Sequence, residues 1–111
     1  RPTLLALHHP PVEVGSAWMD AIGLTDREAF WQTLAAYAQV RAILFGHIHQ
    51  AFTARHASRQ GEIVIYGCPA TADQFLAGSP EFAIDEASRP GLRVVDLDAS
   101  GIHTWIERID S

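Results

Sequence analysis

The chain has 111 residues, 48% of them apolar, with eight basic against thirteen acidic side chains and a formal charge of −5. That suffices for one globular domain or part of one, is too acidic to suit a nucleic-acid backbone as partner, and includes no apolar run long enough to span a membrane. Cys68 is the only cysteine, which rules out an intrachain disulfide and suits a reducing, cytoplasmic setting.

Residues 3–7 form a short apolar run stopped by His8-His9-Pro10-Pro11, the pattern of a buried strand ended by prolines. Arg1 and Pro2 open directly onto this run. A chain seldom starts inside a core strand, so we expect further sequence upstream. Residues 12–24 carry Gly15 and Gly23 without a sustained period and read as a long loop. Thr25 and Glu28 stand at capping-box spacing, and Phe30, Leu34, Tyr37 and Ala38 recur at helical spacing, so a helix is expected over 26–39. Residues 40–45 read as a second buried strand, closed by Gly46. Strand, helix, strand predicts a right-handed βαβ unit with parallel strands.

Beyond it the pattern changes. Residues 51–57 and 62–66 flank Ser58-Arg59-Gln60-Gly61, a hairpin signal. Residues 67–91 hold three prolines and no period, and are expected to be loop. Residues 92–98 and 102–109 alternate around Ala99-Ser100-Gly101, which predicts a second, clearer hairpin. The fold class is therefore α/β, with a βαβ unit followed by antiparallel hairpins.

The sharpest chemical feature is Gly46-His47-Ile48-His49. On an extended strand the two histidines would project to one side with Ile48 opposite, and Gly46 would permit a tight turn. Neutral imidazoles ligate zinc, iron and copper well and manganese acceptably. His8 also ends a strand, and ligands of parallel sheets gather outside the strands' carboxyl ends. The βαβ unit would thus bring His8 near His47 and His49, three donors that could complete one zinc shell. A lone histidine at a strand end is usually only hydrogen-bonded; it is the combination that argues for metal. From the residues alone the reading ends there, at a metal site without a substrate.

The segments 5–12 (LALHHPPV) and 43–50 (ILFGHIHQ) resemble the last two ligand motifs of calcineurin-like metallophosphoesterases, and the chain is most similar there to bacterial class III cyclic-nucleotide phosphodiesterases. The resemblance continues through Gly15-Ser16-Ala17-Trp18-Met19-Asp20, Pro69 to Phe75, residues 82–85 and the final hairpin. It implies the C-terminal half of a single domain with a four-layer αββα sandwich, residues 1–111 being that half. It implies hydrolysis of a small-molecule phosphodiester, cyclic AMP first, at two divalent ions (Mn, Fe or Zn). His8 and His47 would bind one ion and His49 the other.

The family's Asp-x-His, bridging Gly-Asp and Gly-Asn-His-Asp motifs do not occur in these residues. With the last goes the family's catalytic histidine, so no catalytic residue is expected in this chain. The chain alone is expected to bind at most one metal, weakly, to hydrolyse little, and to self-associate through an exposed edge. Two competitors stand beside this reading: a phosphodiesterase for other diesters such as glycerophosphodiesters, and a non-catalytic module binding a metal or a partner.

Among the other residues, His9 is a candidate to touch substrate or orient His8. Trp18 could stack on a base, but is favoured as an anchor of its loop. Asp20 shares that loop. Asp73 and Gln74 could approach the site without any spacing that requires it. Cys68 is expected to be a small buried residue, and His56 and His103 to lie on exposed hairpin surface.

Overall fold

The computed structural model of the protein describes residues 2–58 and 61–110. Arg1, and Arg59 and Gln60 of the first hairpin turn, lie outside the described residues. The elements are β1 (Thr3–Leu7), α1 (Ala17–Asp20), α2 (Arg27–Leu34), β2 (Val40–Phe45), β3 (Phe52–Ser58), β4 (Gly61–Gly67), β5 (Gly91–Asp98) and β6 (Gly101–Arg108). Four strands make one mixed sheet in the order β1-β2-β4-β3, and β5 and β6 make a separate two-stranded sheet. The α/β class, the parallel β1–β2 pair and both antiparallel hairpins agree with the sequence reading. No helix among the described residues is long and apolar enough to cross a membrane.

The core follows from the strand period. Ile43 pairs with Ile65 and Phe45 with Gly67 across β2 and β4, so one face of the sheet carries Ile43, Phe45, Ile63 and Ile65. These pack with Met19, Leu34, Val40 and Ile48. Burying each large aliphatic side chain contributes roughly 1.5–3 kcal/mol, so this cluster is the main source of stability for the sheet. Two further contacts hold α2 in place. The Trp31 indole N–H donates to the Pro11 carbonyl at 2.9 Å, and the Trp31 ring stacks on His56 with centroids 3.7 Å apart. His56 is therefore half-buried in a stack, not the surface residue that its hairpin position predicts.

Three local expectations are corrected. The loop over 12–24 contains one helical turn, α1, because Met19 reaches the core and is fully buried. The helix expected over 26–39 is shorter. It ends at Leu34, and the chain reverses through tight turns in which Tyr37 N–H donates to Leu34 O and Val40 N–H to Tyr37 O. That reversal is what lets β2 start parallel to β1, and it leaves Tyr37 exposed despite its helical spacing.

The capping box does not form either. Asp26 is the N-cap in a left-handed conformation (φ 63°, ψ 49°) with no side-chain cap bond, and Glu28 instead accepts from Gln32 one turn on.

The second sheet is fastened by Arg93. Its guanidinium donates to the Gly67 carbonyl (3.1 and 3.3 Å) and to the Thr104 hydroxyl, and lies 4.9 Å from the Tyr66 ring centroid. Gly91 N–H to Ala70 O adds to the join, and Ile109 N–H to Pro90 O extends the β5–β6 pairing. Within the 67–91 loop, Phe75 and Ile84 form an isolated antiparallel bridge. The β5–β6 hairpin and this loop thus hang from the carboxyl end of β4, the same end at which the histidines collect.

Candidate metal centre

The register of the parallel pair builds the site. Leu7 faces Phe45, and Gly46 N–H donates back to Leu7 O, so His8 lies beside Gly46 and next to His47. His47 Nδ1 stands 3.3 Å from His8 Nε2. His9 joins them: its ring is 5.0 Å from His8 and 4.6 Å from His47 by centroids. One nitrogen from each of His8, His9 and His47 falls within a sphere of mutual distances no larger than 4.8 Å.

The turn that presents His47 and His49 is not an extended strand. Both histidines have positive φ, 71° and 51°, and Ile48 N–H donates to Gly46 O at 2.8 Å. Left-handed backbone at a non-glycine residue costs of order 1–3 kcal/mol and persists where surrounding contacts over-determine it. Here Ile48, fully buried in the core, is the anchor between them. Gly46, for which the sequence reading reserved the tight turn, does not have a positive φ, and a Cβ there would meet only His8 at ordinary contact distance.

The consequence is that the two histidines part company. His47 meets His8 and His9, whereas His49 turns to the 70–75 loop. Its Nδ1 lies 2.9 Å from the Asp73 carbonyl and its ring stacks on Phe75 at 4.0 Å and 5°. On that side lies a polar pocket of about 120 Å³ walled by Gln50, Gln74, Phe75, Asp85 and Arg108. Asp73 and Phe75 are contacts that no spacing in the sequence announces, since their loop has no period; the only signal is the family-like stretch from Pro69 to Phe75.

Burial, and after it the charges of His9, His8 and His49, hold the His47 pKa below its ordinary value, with a backbone contact at Ile22 working the other way. A neutral imidazole is the ligating form.

The donor set fits a cation. Two ligands of one tetrahedral zinc with Zn–N near 2.0–2.1 Å stand about 3.3 Å apart, the separation found between His47 and His8. All three donors are nitrogens, and among the described residues no carboxylate joins this group and no second such group assembles. The set therefore suits one borderline ion and offers no bridging ligand for a second.

The remaining candidates divide plainly. Trp18 packs edge-on against Phe75 and Phe82, each 5.2 Å away, and so anchors its loop to the 67–91 loop. Asp20 accepts from Val14 N–H at 2.7 Å and braces the same loop. Cys68 is half-buried, and burial raises its thiol pKa against the opposing effect of Arg93. His103 is on exposed surface, beside Asp98 and Ser100.

With the geometry in place, the comparisons define a class: the chain is a relative, along nearly its whole length, of bacterial enzymes named cyclic-nucleotide phosphodiesterases. It is 44% identical over 110 residues to a 3′,5′-cyclic-nucleotide phosphodiesterase of Nostoc sp., covering 98% of this chain and 38% of that protein. It is 41% identical over 108 residues to the 3′,5′-cyclic adenosine monophosphate phosphodiesterase of Pseudomonas aeruginosa (96% and 38%). The enzyme of the same name from Vibrio vulnificus is 42% identical over 110 residues (98% and 38%). The chain thus spans less than two-fifths of the length of these relatives. No protein-family model matches it.

Proposed function

We propose that these 111 residues are the C-terminal part of a single metallophosphoesterase domain, with the four-layer αββα architecture, that hydrolyses 3′,5′-cyclic AMP to 5′-AMP in the cytoplasm. The observation that carries this is the similarity spread over 98% of the chain to a named 3′,5′-cyclic-nucleotide phosphodiesterase. The clustering of His8, His9 and His47 supports it, because hydrolysis of an anionic diester needs positive charge that this acidic chain does not itself supply.

In this reading His8 and His47 hold one divalent ion, with His9 beside them to complete its shell or meet the substrate, and His49 serves a second. When bound, such ions offset the charge on the phosphoryl oxygens and acidify a water; manganese, iron and zinc all suit the donors. The chain's own part is to keep His47 neutral by burial and to fix the His8–His47 spacing by strand register. The general acid and the bridging carboxylate would come from the part of the relatives outside these residues. Alone, this chain then binds at most one ion and turns over little.

The test is manganese-dependent hydrolysis of cyclic AMP by this chain and by one extended upstream. Turnover by the extended chain only is the expected result. Turnover of other diesters but not of cyclic AMP would move the substrate to glycerophosphodiesters and their like. Turnover by the 111-residue chain itself would overturn the half-site reading. A non-catalytic metal- or partner-binding module would show none in either.

A further inference from the structure

The loop that receives His49 is organised by one buried amide. Gln74 is 2% exposed. Its Oε1 accepts from Ala70 N–H at 3.1 Å, and its Nε2 donates to both the Ala70 and Ala72 carbonyls at 2.7 Å. All three bonds go to backbone, so the side chain cross-braces the turn over 70–74. The turn then places two successive groups against His49. The Asp73 carbonyl meets His49 Nδ1 at 2.9 Å, and Phe75 N–H donates to the His49 carbonyl at 3.1 Å while its ring lies flat on the imidazole.

A carbonyl oxygen only accepts, so the contact at Asp73 requires His49 to carry its proton on Nδ1. The lone pair is thereby left on Nε2. A free neutral histidine prefers the opposite tautomer. His49 also has a left-handed backbone (φ 51°), a conformation that needs holding from outside.

We propose that Gln74 is a positioning residue: by bracing the 70–74 turn it sets the Asp73 carbonyl, and through it the tautomer and ring plane of His49. What that lone pair is for rests on the function proposed above, in which His49 would serve a metal ion; the bracing itself does not. A carbonyl or carboxylate on the far nitrogen is the usual partner of a ligating histidine, and its loss typically costs 10–100-fold in metal affinity.

The experiment is long-range 1H–15N NMR of the metal-free chain at about pH 8, above the ordinary histidine pKa. Wild type is expected to show His49 protonated on Nδ1. Gln74→Met keeps the volume and Gln74→Glu keeps one acceptor, but both remove the two donors. Each should shift His49 to a mixture led by the Nε2–H form, with the His8 and His103 signals unmoved as reporters of the fold. Asp73→Ala keeps the carbonyl and should leave His49 as it is.

A wild-type His49 protonated on Nε2 overturns the proposal without any variant. So does a His49 tautomer unchanged in both Gln74 variants. In the extended protein, Gln74→Met should weaken binding of manganese by at least tenfold in equilibrium dialysis. A shifted tautomer with unchanged affinity would uphold the brace and remove His49 from the metal site, so the two readings fail separately.

Discussion

His47 Nδ1 and His8 Nε2 stand 3.3 Å apart although 39 positions separate the residues in the chain. Nothing local brings them together. The spacing is set by the Leu7–Phe45 register of two parallel strands, and by the left-handed turn that swings His47 back over the end of β1.

If that pair is the centre of a cation site, zinc should raise the melting temperature of the chain, because a ligand that binds only the folded state stabilises it by about 2.7 kcal/mol at a hundred times its Kd. His8→Ala and His47→Ala should each abolish most of the rise. His49→Ala should keep it, since His49 stands outside the cluster. Differential scanning calorimetry with and without zinc decides this, and an equal loss in all three variants would contradict the division of the histidines.

Gly67 is a packing constraint of a different kind. A Cβ there would lie 2.8 Å from Phe52 Cβ, 2.9 Å from Ile48 Cδ1 and 3.1 Å from Phe45 Cζ. Gly67→Ala must push apart the residues that anchor the histidine turn, and overpacking of this sort costs about 1–3 kcal/mol. Urea unfolding should show that loss. Zinc affinity should drop with it, because Ile48 is the anchor between His47 and His49.

Cys68 gives a pH dependence with a definite sign. Burial raises its folded-state pKa above the unfolded value, so the stability linked to it is fully present below the unfolded thiol pKa of about 8.5 and is lost as pH rises through the folded one. Stability measured from pH 7 to 10 should therefore fall more steeply in wild type than in Cys68→Ala. Alkylation by iodoacetamide should be slower in the folded chain than in urea. Parallel pH profiles for the two proteins would contradict this.

The sheet order leaves β1 at an edge, and Phe82, Leu97 and Trp105 are 58%, 62% and 44% exposed. A strand at a sheet edge favours association, and so do exposed apolar groups elsewhere on the chain. Sedimentation at rising concentration should show dimers or larger species, reduced by Ala6→Lys, which puts a charge on the exposed side of β1. A strictly monomeric chain would favour the self-sufficient binding module over the partial enzyme.

How far the fold could be read from sequence depended on where its signals are local. The strands were legible because apolar runs such as VRAILF stop at glycine or proline, and the hairpins because alternation breaks at short polar turns. The end of α2 was not, because Tyr37 and Ala38 keep helical spacing in a segment whose path is dictated by the entry into β2. Of the site, the approach of His8 to His47 follows from the βαβ pattern. The divergence of His49 does not: it depends on backbone signs at His47 and His49 and on a loop 24 positions further on, where Asp73 and Phe75 wait without any periodic mark.

The register of β1 also has a bearing on how the molecule comes into being. The β3–β4 and β5–β6 pairs are antiparallel pairs of strands consecutive in the chain, and such hairpins form within microseconds. The ladder of β1 runs instead from Thr3–Val40 to Leu7–Phe45, so the whole intervening stretch must be looped back, at an entropic cost, before a single contact of this pair is made. On this ground the histidine cluster is expected to form after the two hairpins, and to be lost whenever β1 detaches.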